Sequence, residues 1–177
     1  ADVNDAPAIT GGVDLTLTPI DEDAADPAGD TVATVLASDP GGVDVITDPD
    51  FGALEGIAVV ALTSTGPGAW QYQVPGGGTW IDAGVVSNAA ALLLSSDSLI
   101  RFVPELSHNR GQTATVTFHA WDQTSGAAGD TGVDGTTTGG ITAFSDDPES
   151  ALLVVADVND APVLADPGDL AFTPGSF

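Results

Sequence analysis

The heptapeptide Ala-Asp-Val-Asn-Asp-Ala-Pro begins at residue 1 and again at residue 156. The match extends past it, because Asp14-Leu15-Thr16-Leu17-Thr18-Pro19 and Asp169-Leu170-Ala171-Phe172-Thr173-Pro174 are related by the same shift. Self-similarity at a fixed long period marks an array of like units, each with its own core. The expected organisation is a linker at 1–7, one folded repeat at 8–155, a second linker at 156–162, and the first strand of the next repeat at 163–177. Residue 1 then falls on a repeat boundary, so the chain is expected to be a stretch of a longer protein with its targeting signals elsewhere.

Charge narrows the function classes. The 177 residues carry 26 carboxylates against two basic side chains, Arg101 and Arg110, for a formal net charge of −24. A hydrophobic content of 42% is enough for a real core, so the chain does not read as a disordered acidic tail. The self-repulsion of such a surface opposes compaction, and divalent cations held by oxygen ligands relieve it efficiently. Nucleic-acid binding is not expected, since a phosphate backbone needs a Lys/Arg footprint that is missing. No apolar run approaches the roughly 20 residues of a spanning helix. Cysteine is absent; an intracellular domain can lack it by chance, and the absence also fits a bacterial surface protein that does without disulfides.

The hydrophobic pattern is that of β-strands. Ala114, Val116, Phe118 and Ala120 alternate with Thr113, Thr115, Thr117 and His119, the period of a half-buried strand with His119 on the outward register. Val13, Leu15 and Leu17 alternate in the same way. Further strands are predicted at 31–37, 57–62, 70–74, 79–82, 99–103 and 151–155, separated by Gly/Pro turns such as Asp39-Pro40-Gly41-Gly42 and Pro75-Gly76-Gly77-Gly78. Only 88–94 has helical potential, for a turn or two. Seven or eight short strands predict an all-β sandwich. Residues 123–150, rich in Gly, Thr, Ser and Asp, form a long loop insertion before the last strand. It is expected to pair partly with itself as a hairpin, with Ile141, Ala143 and Phe144 as its apolar foothold.

Calcium takes six to eight oxygens from carboxylates, Asn side chains and backbone carbonyls. Asp157-Val158-Asn159-Asp160-Ala161-Pro162 offers that mixture in a segment its proline keeps extended. Here the chain resembles the cadherin-like repeats of large calcium-dependent bacterial surface adhesins of the RTX type. Cadherin linkers read Asp-x-Asn-Asp-x-x-Pro, and 2–7 and 157–162 come close. Asp21-Glu22-Asp23 follows the first strand, Ala37-Ser38-Asp39 matches the start of an Asp-x-Asp motif, and Ala120-Trp121-Asp122 ends the strong strand. Trp70-Gln71-Tyr72, Gly78-Thr79-Trp80 and Ile100-Arg101-Phe102-Val103-Pro104 look like a longer variant of such repeats. The pattern departs from the family where Gly41 replaces the second acid of Asp-x-Asp, with Asp44 nearby, and where a mid-domain Asp-Arg-Glu motif has no counterpart.

The resemblance implies a cadherin/Ig-like Greek-key β-sandwich, secreted to the bacterial cell surface and serving adhesion or biofilm formation as a calcium-stiffened extender. Its partners would be neighbouring repeats of the same polypeptide. It also implies ligands at two ends. Asn4, Asp5, Asp39 (with Asp44) and Asp122 would face a preceding repeat, and Glu22, Asp157, Asn159 and Asp160 a following one, with fewer than three ions per junction.

Other readings remain open at this stage. The insertion, or an aromatic platform of Trp70, Tyr72 and Trp80, could bind a host or surface glycan or protein. The 163–177 segment could add as a strand to another copy, making a filament or surface-layer subunit. Asp130-Thr131-Gly132-Val133-Asp134-Gly135 resembles the start of an EF-hand loop, but its twelfth position is Ile141 rather than an acid. No catalytic constellation is legible. His108 and His119 are the only histidines, and no serine sits in a nucleophile elbow.

Overall fold

The structure, a computed structural model, describes residues 3–105 and 111–162. Ala1, Asp2, His108, Arg110 and the expected strand at 163–177 lie outside the described residues. The strands are β1 (Ala8–Ile9), β2 (Leu15–Thr16), β3 (Ile20–Asp21), β4 (Asp30–Thr31), β5 (Ile46–Thr47), β6 (Gly56–Ser64), β7 (Gly68–Gln73), β8 (Ile81–Asp82), β9 (Leu92–Ser95), β10 (Leu99–Pro104), β11 (Gln112–Trp121) and β12 (Glu149–Ala156). One short helix, α1 (Val32–Leu36), follows β4. The described chain is thus nearly all β, with β6, β7, β10, β11 and β12 longer than the pattern predicts and several two-residue strands added around them.

The larger sheet has the order β2-β12-β11-β6-β9, with β3 also paired to β12; the smaller has the order β4-β10-β7-β8, and β1 pairs β5. The two larger sheets face each other across one apolar core. Ala114, Val116, Phe118 and Ala120 of β11 point into it with Ile57 and Val59 of β6 and Leu153 and Val155 of β12. Trp70, Tyr72, Ile100 and Phe102 meet them from the smaller sheet. Trp70 and Phe102 pack edge to face at 5.5 Å between centroids, a favoured aromatic geometry. Trp70 and Tyr72 are therefore core residues, as is usual for aromatics on short strands, and they do not form the alternative sugar-stacking platform. Trp80 instead lies over the Arg101 guanidinium at 4.1 Å.

The larger sheet is buried on its outer face as well. Ala58, Val60, Leu93 and Trp121 form a second apolar cluster there, covered by Ala143 and Phe144 of the insertion. The pairing of β11 with β6 slips between Thr117 and Phe118, a bulge of the kind that re-aims side chains near a sheet end. The insertion does not fold on itself as a hairpin. Val133 bridges to Ala91, and Phe144 bridges to Trp121. Leu93 N–H donates to Asp130 O, and Gly129 N–H to Leu93 O. These bonds satisfy the free edge of β9, which would otherwise invite pairing with another chain.

Three local expectations are corrected. Residues 32–36 are helical rather than extended: Thr31 caps the helix by accepting Thr34 N–H on Oγ1 at 3.0 Å, and Val32, Val35 and Leu36 fall on one buried face. Within 88–94, Leu92–Leu94 belong to β9 rather than to a helix, their unbroken apolar run reflecting a strand buried on both faces. His119 does lie on the outward register, yet it is buried under the insertion, its Nδ1 2.7 Å from Ser145 O. Ile141 is exposed, so the foothold is Ala143 and Phe144 with Val133.

Removing the Phe144 ring opens a cavity over the outer face, and Phe144→Ala should cost about 3 kcal/mol. Hydrogen exchange should locate the loss: the Ala91 and Leu93 amides accelerate strongly, while those between β7 and β10 lose protection only as global stability falls.

Candidate metal sites at the two poles

Antiparallel pairing of β11 with β12 sets Gln112 opposite Val155 and Phe118 opposite Glu149. The end of β11 and the end of β12 therefore lie at opposite poles of the sheet, and each pole gathers acids around one copy of the heptapeptide.

At the first pole, Trp121 is locked in the outer cluster and its Nε1–H donates to Ser125 O, which fixes the residue after it. Asp122 is only 3% exposed. Its Oδ1 accepts Thr124 N–H at 2.8 Å and Thr124 Oγ1–H at 2.6 Å; its Oδ2 accepts Asn4 Nδ2–H at 2.9 Å. Asn4 also donates to Thr142 O. Asp5 N–H donates to Asp50 Oδ2 at 2.8 Å. Asp48 Oδ1 accepts Asp50 N–H, whereas Asp48 Oδ2 is buried with no hydrogen-bond partner among the described residues. Asp44, Asp48, Asp50 and Glu55 line a common depression of about 300 Å³ beside Pro7. Desolvation, and then the Asp44 charge, push the Glu55 carboxyl above its ordinary range. Gln123 adopts φ 64°, unusual for a residue with a Cβ, and donates from Nε2 to Glu55 O at 2.7 Å.

At the opposite pole, Glu22 is 1% exposed. Its Oε1 accepts Val158 N–H at 2.9 Å, and its own N–H donates to Ala156 O at 2.9 Å. The Asp157 carboxyl is raised, first by desolvation, then by the Glu22 charge and a shared hydrogen bond with Glu22, and last by Asp160. Asn159 and Asp160 are exposed, with Asn159 Nδ2–H on Asp160 O.

The sequence-predicted residues thus divide. Asn4 and Asp122 are in direct contact, Asp5 is tied to their pole through Asp50, and Asp44 shares the neighbouring depression. Glu22, Asp157 and Asp160 come together at the other pole, with Asn159 beside them. Asp39 is committed to its own turn, where Oδ2 accepts Gly41 and Val43 N–H and Oδ1 accepts Asp14 N–H. Asp48, Asp50 and Glu55 were missed, although Asp48-Pro49-Asp50 is a visible signal. The EF-hand-like stretch forms turn caps: Asp130 accepts Ala127 N–H, and two bonds from Thr136 pull the exposed Asp134 carboxyl down.

Among the described residues no group of three or more Asp, Glu, His or Cys side chains is placed to hold a metal ion. The poles instead offer oxygen donors of the type hard cations prefer, and the orphaned Asp48 Oδ2 is an acceptor that a cation would satisfy. Arg101, the only described basic side chain, is occupied elsewhere, by Asp26, Pro27 O and Gln71 Oε1. No described helix is long and apolar enough to cross a membrane. Searches against family models, curated proteins and solved structures return no match.

Glu55 and Asp157 bind protons more tightly in the folded chain than in the unfolded one. The resulting destabilisation is fully present above their raised pKa values and is lifted as pH falls through them. With divalent cations chelated, the melting temperature should rise as pH is lowered from neutral into the range where these two raised carboxyls take up protons, and Glu55→Gln with Asp157→Asn should flatten that rise. A steady fall over the same window in the parent protein would contradict the assignment.

Proposed function

We propose that this chain is a structural repeat of a secreted bacterial surface adhesin: a cadherin-like, Ig-like Greek-key extender that calcium stiffens at its junctions. One observation carries the reading. Two copies of the same acidic heptapeptide lie at the two poles of a single sandwich, and each pole gathers several carboxylates around its copy. Asn4, Asp5, Asp44, Asp48, Asp50, Glu55 and Asp122 would serve one junction; Glu22, Asp157, Asn159 and Asp160 would serve the other. Bound calcium supplies the positive charge that lets two acidic poles approach. The chain's own residues supply the oxygens and fix the angle between neighbours.

A glycan- or protein-binding role finds less support. The insertion turns its one aromatic side chain, Phe144, onto the sheet, and Trp70 and Tyr72 are spent in the core.

Calorimetric titration of the chelated protein with calcium, paired with melting curves, tests the reading. Binding to the native state alone stabilises by about 2.7 kcal/mol at a hundredfold excess over Kd. A clear rise in melting temperature is expected, larger in a two-repeat protein whose junction is complete. An array of several repeats should lose stiffness in EGTA. Absence of both binding and any melting shift in the two-repeat protein would rule the function out.

A further inference from the structure

The heptapeptide is gripped differently at its two occurrences. At 156–162 its first residues are held by the sandwich before it: Ala156 O accepts Glu22 N–H and Val158 N–H donates to Glu22 Oε1, both at 2.9 Å. Asn159 through Pro162 are exposed there. At 3–7 the later residues are held by the sandwich after it. Asn4 binds Asp122 and Thr142 O, Asp5 N–H binds Asp50, and Ala6 N–H donates to Gly140 O at 2.8 Å. Pro7 is buried, whereas its equivalent Pro162 is not. Superimposing the two views leaves the valine fixed upstream and the very next residue, the asparagine, fixed downstream. Consecutive Cα atoms are about 3.8 Å apart, so a junction built on one heptapeptide has no slack and its two poles abut.

The abutting surface is not purely acidic. Val3 is 63% exposed, Leu54 62%, and Phe51 106%. All three line one shallow depression of about 460 Å³, rimmed by Asp50 and Asp122. Single exposed apolar residues are ordinary, but a phenylalanine, a leucine and a valine gathered at the mouth of a linker form a patch. We propose that Val3, Phe51 and Leu54 are a docking face for the carboxy-terminal pole of a preceding copy of this repeat. The contact rests on the tandem-repeat reading but not on calcium: it is apolar and persists when the ion is removed, whereas the surrounding carboxylates respond to the ion.

The test uses two copies joined through one heptapeptide, residues 1–155 followed by residues 1–162. The sequence has no cysteine, so Thr63→Cys in each copy accepts one spin label, and pulsed dipolar spectroscopy reads the distance distribution with EGTA or with calcium. The parent protein should give a single peak in EGTA, which calcium narrows further. Phe51→Ser with Leu54→Ser in the second copy should broaden it at least twofold, and Phe51→Leu should restore it. The same serine substitutions in the single repeat should leave its melting temperature unchanged, since the side chains lie on the surface. A width that ignores calcium but broadens with the serines supports docking and removes the calcium reading. A width that narrows with calcium but is indifferent to the serines overturns docking and leaves the calcium reading in place.

Discussion

The molecule has to settle its negative charge almost without positive side chains. Buried or half-buried carboxylates in most proteins find a lysine or arginine; here they find amide N–H and hydroxyl groups. Asp122 takes Thr124 and Asn4, Asp30 takes the Thr18 amide and hydroxyl, Glu22 takes the Val158 amide, and Asp39 takes two amides of its own turn and the Asp14 amide. Hydrogen bonding to the ionised form favours it, so each acid also fixes the conformation of the segment that solvates it. The turns are ordered by their acids. Three places stand out: Asp48 Oδ2 is buried with no hydrogen-bond partner among the described residues, and carboxylates crowd one another at Glu55 beside Asp44 and at Asp157 beside Glu22. Those places lie at the poles.

Position at the poles follows from packing on the outer face of the larger sheet. The insertion spends Ala143 and Phe144 on Trp121, Leu93 and Val60, and Trp121 is thereby immobilised at the end of β11. Asp122 then has no freedom to turn outward, and Thr142, two residues before Phe144, offers its carbonyl to Asn4. The linker, the end of β11 and the insertion meet in one hydrogen-bonded knot. A long Gly/Thr/Asp-rich stretch that looks like a mobile loop is in this way the support of a pole, and it shields the edge of β9 from other chains.

Much of the fold was legible where burial is one-sided. β11 alternates because one face meets the core and the other carries threonines, so Thr113 through Ala120 could be placed on sight. Legibility failed where both faces are covered: Leu92, Leu93 and Leu94 are apolar without period, and His119 and Trp121 gave no sign of the layer above them. It failed again at Val32–Leu36, where β-branched residues favour extension locally, but core packing of Val32, Val35 and Leu36 and the Thr31 cap favour a helix. The linker acids were visible because the heptapeptide repeats. Asp48 and Asp50 occur once, and nothing short of the fold brings them beside Asp5. Asp39 looked like a ligand for the same reason it makes a good turn: a short carboxylate followed by Pro-Gly-Gly caps its own backbone.

On the proposed function, cations act at the two poles and not along the sandwich. The most direct measurement is residue-resolved amide chemical shifts of the chelated protein as calcium is added. Changes should concentrate at Asn4 and Asp5, Asp48 through Glu55, Asp122 through Thr124, Glu22, and Asp157 through Asp160, with the sheet amides and the turns at Asp39, Asp130 and Asp134 unmoved. Small shifts spread evenly over all exposed acids, or shifts centred on the insertion, would contradict the account.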